Sequence, residues 1–404
     1  MSVGLEFGFG LKSWFSVGKR APFRNANVAK SRLRAPGRAD NLDKCTCSSL
    51  QSSGHLARLR EADRVRARLW HERRSTISNE PRSATGLFLG IDLGGTKILA
   101  GIVDEEGRIL SREYRETGAS EGPEAVFHRL FGITRKLLTS REIDPSSVRA
   151  IGVAAPGPID ARSGVVTAPP NLPGWHNVPL ARLIHDELDV PAYLENDANA
   201  AALGEHRFGS GRGCRHMVYV TVSTGIGGGF IFDGKLYTGA TGGAAEVGHM
   251  TIVPEGPLCS CGNRGCLEVL ASGSAIAREA RRYVQRGLPT LVAELADVDL
   301  DRITAKLVAE AAERGDEVAN AILDQAMRYL GIGLANLTNL LNPELMVIGG
   351  GLSKMGHRLF TPVRRAIDLR AFPNAAEALE LRRAKLGDDV GLLGAAAVAM
   401  SRQG

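Results

Sequence analysis

From Leu87 onward, short apolar runs alternate with glycine-rich breaks, and the spacing of the apolar positions switches between the strand period and the helix period. The stretch "LFLGIDLGGTKILAGIVDEEGRILSREY" predicts three consecutive strands, turning at Gly94-Gly95 and at Glu105 to Gly107. "PEAVFHRLFGITRKLLTS" puts Val126, Leu130, Ile133 and Leu137 on one helical stripe. A strand running into a Pro-Gly loop follows ("VRAIGVAAPGPID"), then a helix ("LARLIHDELDV"), a short strand ending in acids ("PAYLEND") and a second helix ("ANAAALGEHRFG"). The opening pattern then returns. "HMVYVTVSTGIGGGFIFDGKLYTG" is an apolar strand, a turn at Thr224 to Gly229, another apolar strand and a turn at Asp233-Gly234. Later, "PELMVIGGGLSKMGHRLF" predicts strand, glycine turn and helix, and "LLGAAAVAM" closes the chain as a small-residue helix. Two similar hairpins, each heading its own α/β half, point to a duplicated domain with a nucleotide between the halves. The competing reading is that glycine-rich strand ends occur in any α/β protein.

The first hairpin resembles a nucleotide P-loop only in part. Gly90 and Gly95 have the spacing of G-x-x-x-x-G-K-[ST], but Thr96-Lys97 reverses the required order. A P-loop opens into a helix, whereas "ILAGIVD" reads as a strand. The tip is then either an anion cradle of exposed backbone amides or a plain glycine turn.

Composition places the chain among globular proteins. It has 404 residues, 44% hydrophobic and 23% charged, enough for two or three domains. No stretch approaches the apolar length of a membrane span, and no secretory signal is readable near the start. The expected location is therefore cytoplasmic. The net charge of +6 is uneven: residues 1–85 carry 17 Lys/Arg against 7 Asp/Glu, and the remainder 33 against 37. The basic character belongs to the first segment and says nothing about a basic surface on the main body. Residues 1–85 read as a disordered extension or the product of an upstream start, ahead of a transit peptide or a DNA-binding module. One basic helix is predicted at 55–74, with no readable first helix to make a helix-turn-helix.

Six cysteines change the picture further. Three lie within eight residues and follow a histidine as H-x9-C-x-C-x4-C: His249, Cys259, Cys261 and Cys266. Three thiolates and one imidazole suit a closed tetrahedral Zn2+ site of structural type, and glycines at 262 and 265 permit the tight loop. Cys45 and Cys47 have no partner histidine at workable spacing.

"DLGGTK", "APGPI", "ENDANAAALGE", "STGIGGG" and "EVGH…CSCGNRGCLE" occur here in the order found in bacterial ROK-family sugar kinases. The chain resembles that family over roughly residues 86–404, and ROK glucokinases most of all; residues 1–85 lie outside the resemblance. It implies an α/β two-domain, actin-like (ribonuclease-H-like) duplicated fold with an interdomain active-site cleft. The expected lobes are 86–205 with 386–404, and 206–385 with the zinc loop 249–268.

The resemblance also implies roles. Gly94, Gly95 and Thr96 would offer amides to the ATP phosphates from one side, and Thr224, Gly225, Gly227 and Gly228 from the other. Asp92 would help hold Mg2+, a hard cation that prefers oxygen. Lys97 either adds charge near the phosphates or is a solvated hairpin lysine. Gly350 and Gly351 would lie against the adenosine. Asp197, between a strand end and a helix start, would be the catalytic base; on residue type alone it reads equally as a helix N-cap. Asn171, Asn196, Asp197, Glu246, His249 and Glu268 would surround the hexose, and zinc would fix the ring of His249 so that its other nitrogen faces the sugar. The expected activity is ATP-dependent phosphorylation of glucose to glucose 6-phosphate by a homodimer or higher homo-oligomer. Alternatives are a kinase for mannose, N-acetylmannosamine, fructose or allose, polyphosphate as donor, or a sugar-responsive ROK repressor. Neither a membrane nor nucleic acid is an expected partner.

Overall fold

The structure, a computed structural model, describes residues 86–140 and 143–403. The basic extension at 1–85, the helix expected at 55–74 and Cys45 and Cys47 fall outside the described residues. The predicted hairpin repeat proves to be a repeat of whole sheets. The strands β1 (Leu87–Leu93), β2 (Lys97–Val103) and β3 (Ile109–Glu116) form an antiparallel meander. β4 (Val148–Ala155) pairs parallel with β1, a small hairpin follows from β5 (Ile159–Asp160) and β6 (Val165–Val166), and β7 (Ala192–Asn196) pairs parallel with β4. The order is β3-β2-β1-β4-β7.

The second sheet repeats this: β8 (Met217–Val222), β9 (Ile226–Phe232), β10 (Lys235–Tyr237), β11 (Leu345–Gly349) and β12 (Glu380–Arg383), in the order β10-β9-β8-β11-β12. In both, the turn between the first two strands lies at the end where the parallel strands finish, which is where open α/β sheets place ligands.

Helices explain why the central strands are apolar on both faces. The helix α1 (Pro123–Ser140) buries the predicted stripe of Val126, Leu130, Ile133 and Leu137 against Leu89, Ile91 and Leu93 of β1. α2 (Leu180–Leu188) adds Leu180 and Ile184 to the same core. α3 (Asp197–Phe208) leads out of β7. A helical stretch separates β10 from β11: α4 (Leu267–Ala271), α5 (Gly273–Gln285), α6 (Leu291–Leu295), α7 (Ala305–Glu313) and α8 (Glu317–Leu341). α9 (His357–Arg370) and α10 (Pro373–Ala378) precede β12, and α11 (Val390–Ser401) ends the fold. α8 covers the second sheet, packing Leu330 and Leu334 with Val218, Val220 and Val222.

α11 needs its small residues. It lies on the far face of the first sheet, with Leu393, Ala396 and Ala399 against Phe88, Val103 and Ala150. A side chain at Gly152 would collide with the carbonyl of Ala395, and one at Gly394 with the carbonyl of Ala200 in α3. α3 in turn touches the second sheet, where a Cβ on Gly229 would sit 2.6 Å from that of Ala202. These two crossed helices therefore lie between the sheets.

The chain crosses from one sheet to the other twice, after α3 and after β12, and the fully buried Glu205 joins the crossings. Its Oε2 accepts from the Ser210 N–H and its Oε1 from the Leu386 N–H, both at 2.8 Å. Ser210 Oγ donates to the Arg383 carbonyl (2.7 Å), and Arg382 donates to the Ser210 carbonyl (2.9 Å). A single exposed bond, from Arg162 Nη2 to the Ala240 carbonyl (2.6 Å), ties the β5–β6 turn to the loop after β10.

Candidate active site

The site grows from strand ends. Asp92 is the next-to-last residue of β1, beside Leu99 of β2 and Ala154 of β4. No hydrogen-bond donor reaches its carboxylate among the described residues, and only glycine at 391, at the start of α11, leaves room for it. Burial, opposed by Lys97 and reinforced by the charge of Asp197, pushes its pKa from 3.8 to about 6. The residues present fit Mg2+: a hard carboxylate oxygen without a protein partner, in space that a side chain at 391 would fill.

Between Asp92 and Lys97 the first hairpin turns tightly, with the Gly94 N–H donating to the Lys97 carbonyl (2.9 Å). Thr117 holds the tip from outside: its hydroxyl donates to the Gly94 carbonyl (2.7 Å) and its N–H to the Thr96 carbonyl (2.9 Å). The side chains of Thr96 and Lys97 are exposed. Asn171 is brought to this tip, since a Cβ on Gly95 would lie 2.8 Å from the Asn171 carbonyl.

Asp197 opens α3 but is not its cap. Asn196 has the extended backbone of an N-cap, and its Oδ1 accepts from the N–H groups of Ala198 (3.0 Å) and Asn199 (3.3 Å). Asp197 is left in the first turn, exposed, with its Oδ1 accepting from the Ala198 N–H (2.8 Å). The protein mass around its carboxyl group raises its pKa, the Ala198 N–H and Asn196 amide partly offset this, and Glu246 pushes it up again. Beneath it, Glu195 is buried, with Oε1 accepting from Asn199 Nδ2 (3.0 Å) and the Asn196 N–H (3.1 Å).

The second hairpin comes from the other half. A Cβ on Gly227 would lie 3.1 Å from that of Ala198, next to Asp197, and one on Gly228 would lie 2.9 Å from Val247, next to Glu246. Ser223 N–H to the Gly225 carbonyl (2.9 Å) closes the tip, so Thr224 and Gly225 form it. Glu268 Oε2 accepts from the Ile226 N–H (2.9 Å). Gly350 has φ 80°, open to glycine and costly for other residues, and packs on the Val222 carbonyl; Gly351 follows beside Ser223.

The ligand atoms of His249, Cys259, Cys261 and Cys266 all lie within 4.8 Å of one another. Cys261 and Cys266 Sγ are 3.7 Å apart, and Cys259 Sγ is 3.6 Å from His249 Nδ1. Zinc bonds of about 2.3 Å to sulfur and about 2.05 Å to nitrogen give tetrahedral edges of roughly 3.8 Å and roughly 3.6 Å. The cluster fits Zn2+ on donor chemistry and on spacing. Burial and the neighbouring thiols push Cys266 up to about 12, so a dication is what makes a triple thiolate tenable there. Nδ1 faces the thiols, which leaves Nε2 of His249 for other partners.

Thus the structure groups Asp92, the first tip and Asn171, and it groups Asn196, Asp197, Glu246, the second hairpin, Glu268 and the His249 cluster. Gly350 and Gly351 flank the second hairpin. Thr117, Glu195 and Gly391 were not singled out from sequence. Glu195 alone carried a signal, as an acid at an inward strand position.

Two five-stranded sheets of one topology, with glycine tips and acids at their facing ends, define the actin-like α/β class. Within it, the ROK family model matches residues 88–402, and the chain belongs to the ROK family. It is 39% identical to the glucokinase of Thermotoga maritima over 317 residues, covering 78% of this chain and 98% of that protein. It is 35% identical to the xylose repressor of Caldicellulosiruptor bescii, over 78% of each chain. The ROK glucokinase of Streptomyces griseus, solved with glucose and AMPPNP, superposes with a TM-score of 0.67 at 38% identity, covering 79% of this chain and all of that one.

Proposed function

We propose that the protein is an ATP-dependent hexokinase of the glucokinase type, moving the γ-phosphoryl group of ATP to the 6-hydroxyl of glucose. The observation that carries this reading is the acid at the head of α3: Asp197 faces open space, its carboxyl is released from capping by Asn196, and its pKa is raised by its surroundings. A base of this kind takes the hydroxyl proton as the sugar oxygen forms its bond to phosphorus and the bond to the β-phosphate oxygen breaks, releasing ADP. The kinship with glucokinases, one of them seen with glucose and AMPPNP, supports the same substrates.

Gly94, Gly95 and Thr96 on one side and Thr224, Gly225, Gly227 and Gly228 on the other present backbone to the phosphates, and Gly350 and Gly351 border the adenosine. Asn171, Asn196, Glu246, His249 and Glu268 bind the hexose hydroxyls. Mg2+ near Asp92 would supply charge neutralisation for the phosphates. Zn2+ on His249, Cys259, Cys261 and Cys266 would order the sugar loop and fix the imidazole. The lobes 86–205 with 386–404 and 206–385 close on the substrates and exclude water. The protein works in the cytoplasm as a homodimer or larger homo-oligomer.

A panel of glucose, mannose, N-acetylmannosamine, fructose and allose with Mg-ATP, and of glucose with polyphosphate, tests the reading through coupled detection of product. Glucose with ATP should give the highest kcat/KM. Similarity to a xylose repressor keeps a second reading open, a sugar-responsive regulator. No turnover with any hexose, together with salt-sensitive binding to duplex DNA, would favour it.

A further inference from the structure

The two glycine tips are held differently. The first is held by Thr117 through its hydroxyl and amide, bonding to the carbonyls of Gly94 and Thr96. The second is held by a carboxylate. Glu268 Oε2 accepts from the N–H of Ile226, the first residue of β9 after the tip, and only glycine at 225 leaves space for that oxygen. The other side of the same tip is bonded at the start of α5, where Gly273 N–H donates to the Ser223 carbonyl (2.7 Å) and Ser274 N–H to the Thr224 carbonyl (3.2 Å). All three ties come from the segment immediately after Cys266. That segment is anchored in turn by the Leu267 N–H on the Met250 carbonyl (2.9 Å), next to His249.

A negative charge beside an anion cradle weakens phosphate binding through space. Its place there is explained by geometry: a carboxylate accepts a backbone N–H more strongly than a neutral oxygen does, and so fixes the direction of the amides around it. One oxygen of Glu268 is committed to Ile226. The other has no hydrogen-bond partner among the described residues.

We propose that Glu268 is a positioning residue for the nucleotide hairpin, so that one carboxylate serves the phosphate side of the cleft through Ile226 and the sugar side through its second oxygen. This rests on the kinase reading above and adds to it a physical link between the two substrates. The Gly273 and Ser274 bonds hold the entering side of the tip, and its Ile226 side keeps its binding geometry while the acid holds that amide.

The test uses the full chain with Mg-AMPPNP, titrated calorimetrically without sugar, and compares wild type with E268Q, E268D and E268A. Glutamine keeps an oxygen at the same reach, whereas aspartate keeps the charge but is one methylene too short. E268Q should bind the analogue within about threefold of wild type, keeping a weaker neutral bond, and E268D and E268A about tenfold more weakly, the effect of losing the hydrogen bond altogether. For glucose the order should differ, with E268Q already impaired. Hydrogen exchange at the Ile226 amide gives a readout independent of nucleotide: protected in wild type and E268Q, fast in E268D and E268A. Analogue affinity and Ile226 protection unchanged in both E268D and E268A, with only glucose affinity lost, would overturn the proposal. Ile226 protection that follows the predicted order in a protein binding no AMPPNP would uphold the tie and strike the kinase reading instead.

Discussion

Asp92 offers the sharpest test of the electrostatics. In the folded protein its carboxyl is held at about 6 against an ordinary 3.8, chiefly by burial. Below the ordinary value both folded and unfolded chains carry the proton, and the group favours folding relative to neutral pH. As pH rises through about 6, the folded state must ionise a carboxyl that its site disfavours, and that contribution is lost, roughly 3 kcal/mol by pH 7.5. Asp92→Asn has the same shape and no charge. Without Mg2+ at pH 7.5 it should therefore be more stable than wild type, by about 1–3 kcal/mol and a few degrees in melting temperature, with the gap closing by pH 4. If Asp92 holds Mg2+ beside the phosphates as proposed, the same variant should lose about 100-fold or more in kcat. Thermal melts from pH 4 to 8 beside a glucose-coupled assay read both effects. A variant less stable than wild type by the same amount at pH 4 and pH 7.5 would refute the reasoning, since Asp92 would then be holding the fold together.

Other outcomes follow from the same geometry. Asp197→Asn should lower kcat by about 10²- to 10⁴-fold while calorimetric glucose affinity stays within a few fold, and undiminished turnover would remove the base. With Asp197 as the proposed base, kcat/KM of wild type should fall on the acid side at a pH above the usual carboxylate range, because its pKa is raised; an acid limb below pH 4 contradicts this. Elemental analysis should find one zinc per chain, and Cys261→Ser should lower both zinc content and melting temperature; protein prepared without chelator yet free of zinc would contradict the site. Gly394→Ala should cost about 1–3 kcal/mol, because its methyl group meets the Ala200 carbonyl, and a melt equal to wild type would mean the helix crossing is looser than described.

Much of this was readable in the residues because local patterns carried it. The two hairpins announced themselves by apolar strands around glycine, α1 by its 3.6-residue stripe, and the grouping of His249 with three cysteines by spacing alone. β12 was not readable: "ELRR" is an edge strand with little apolar alternation, and Arg382 pairs with Glu380 along it. The helices from α4 to α8 were not delineated either, since α8 is apolar over much of its surface and periodicity gives little purchase there. The choice of cap was beyond sequence, because Asn196 and Asp197 are both good caps and only the extended backbone of Asn196 separates them. Glu205 looked like one more helical glutamate; its role depends on Leu386, which is 181 positions away.

The two crossings laced by Glu205, Ser210 and Arg382 bear on how the halves can move. Two strands of chain passing side by side through one hydrogen-bonded knot would favour rotation about a shared axis over sliding or twisting. Elsewhere the halves are tied by exposed pairs, Arg162 to the Ala240 carbonyl and Lys354 to Asp388, and water competes for both. If the halves close on a sugar as proposed, the energy of opening would be lopsided, stiff where the two crossings are laced and slight at the Arg162–Ala240 bond. A sugar with even a few hydrogen bonds to both halves would outweigh that bond, and substrate, more than protein, would then decide when the jaws shut.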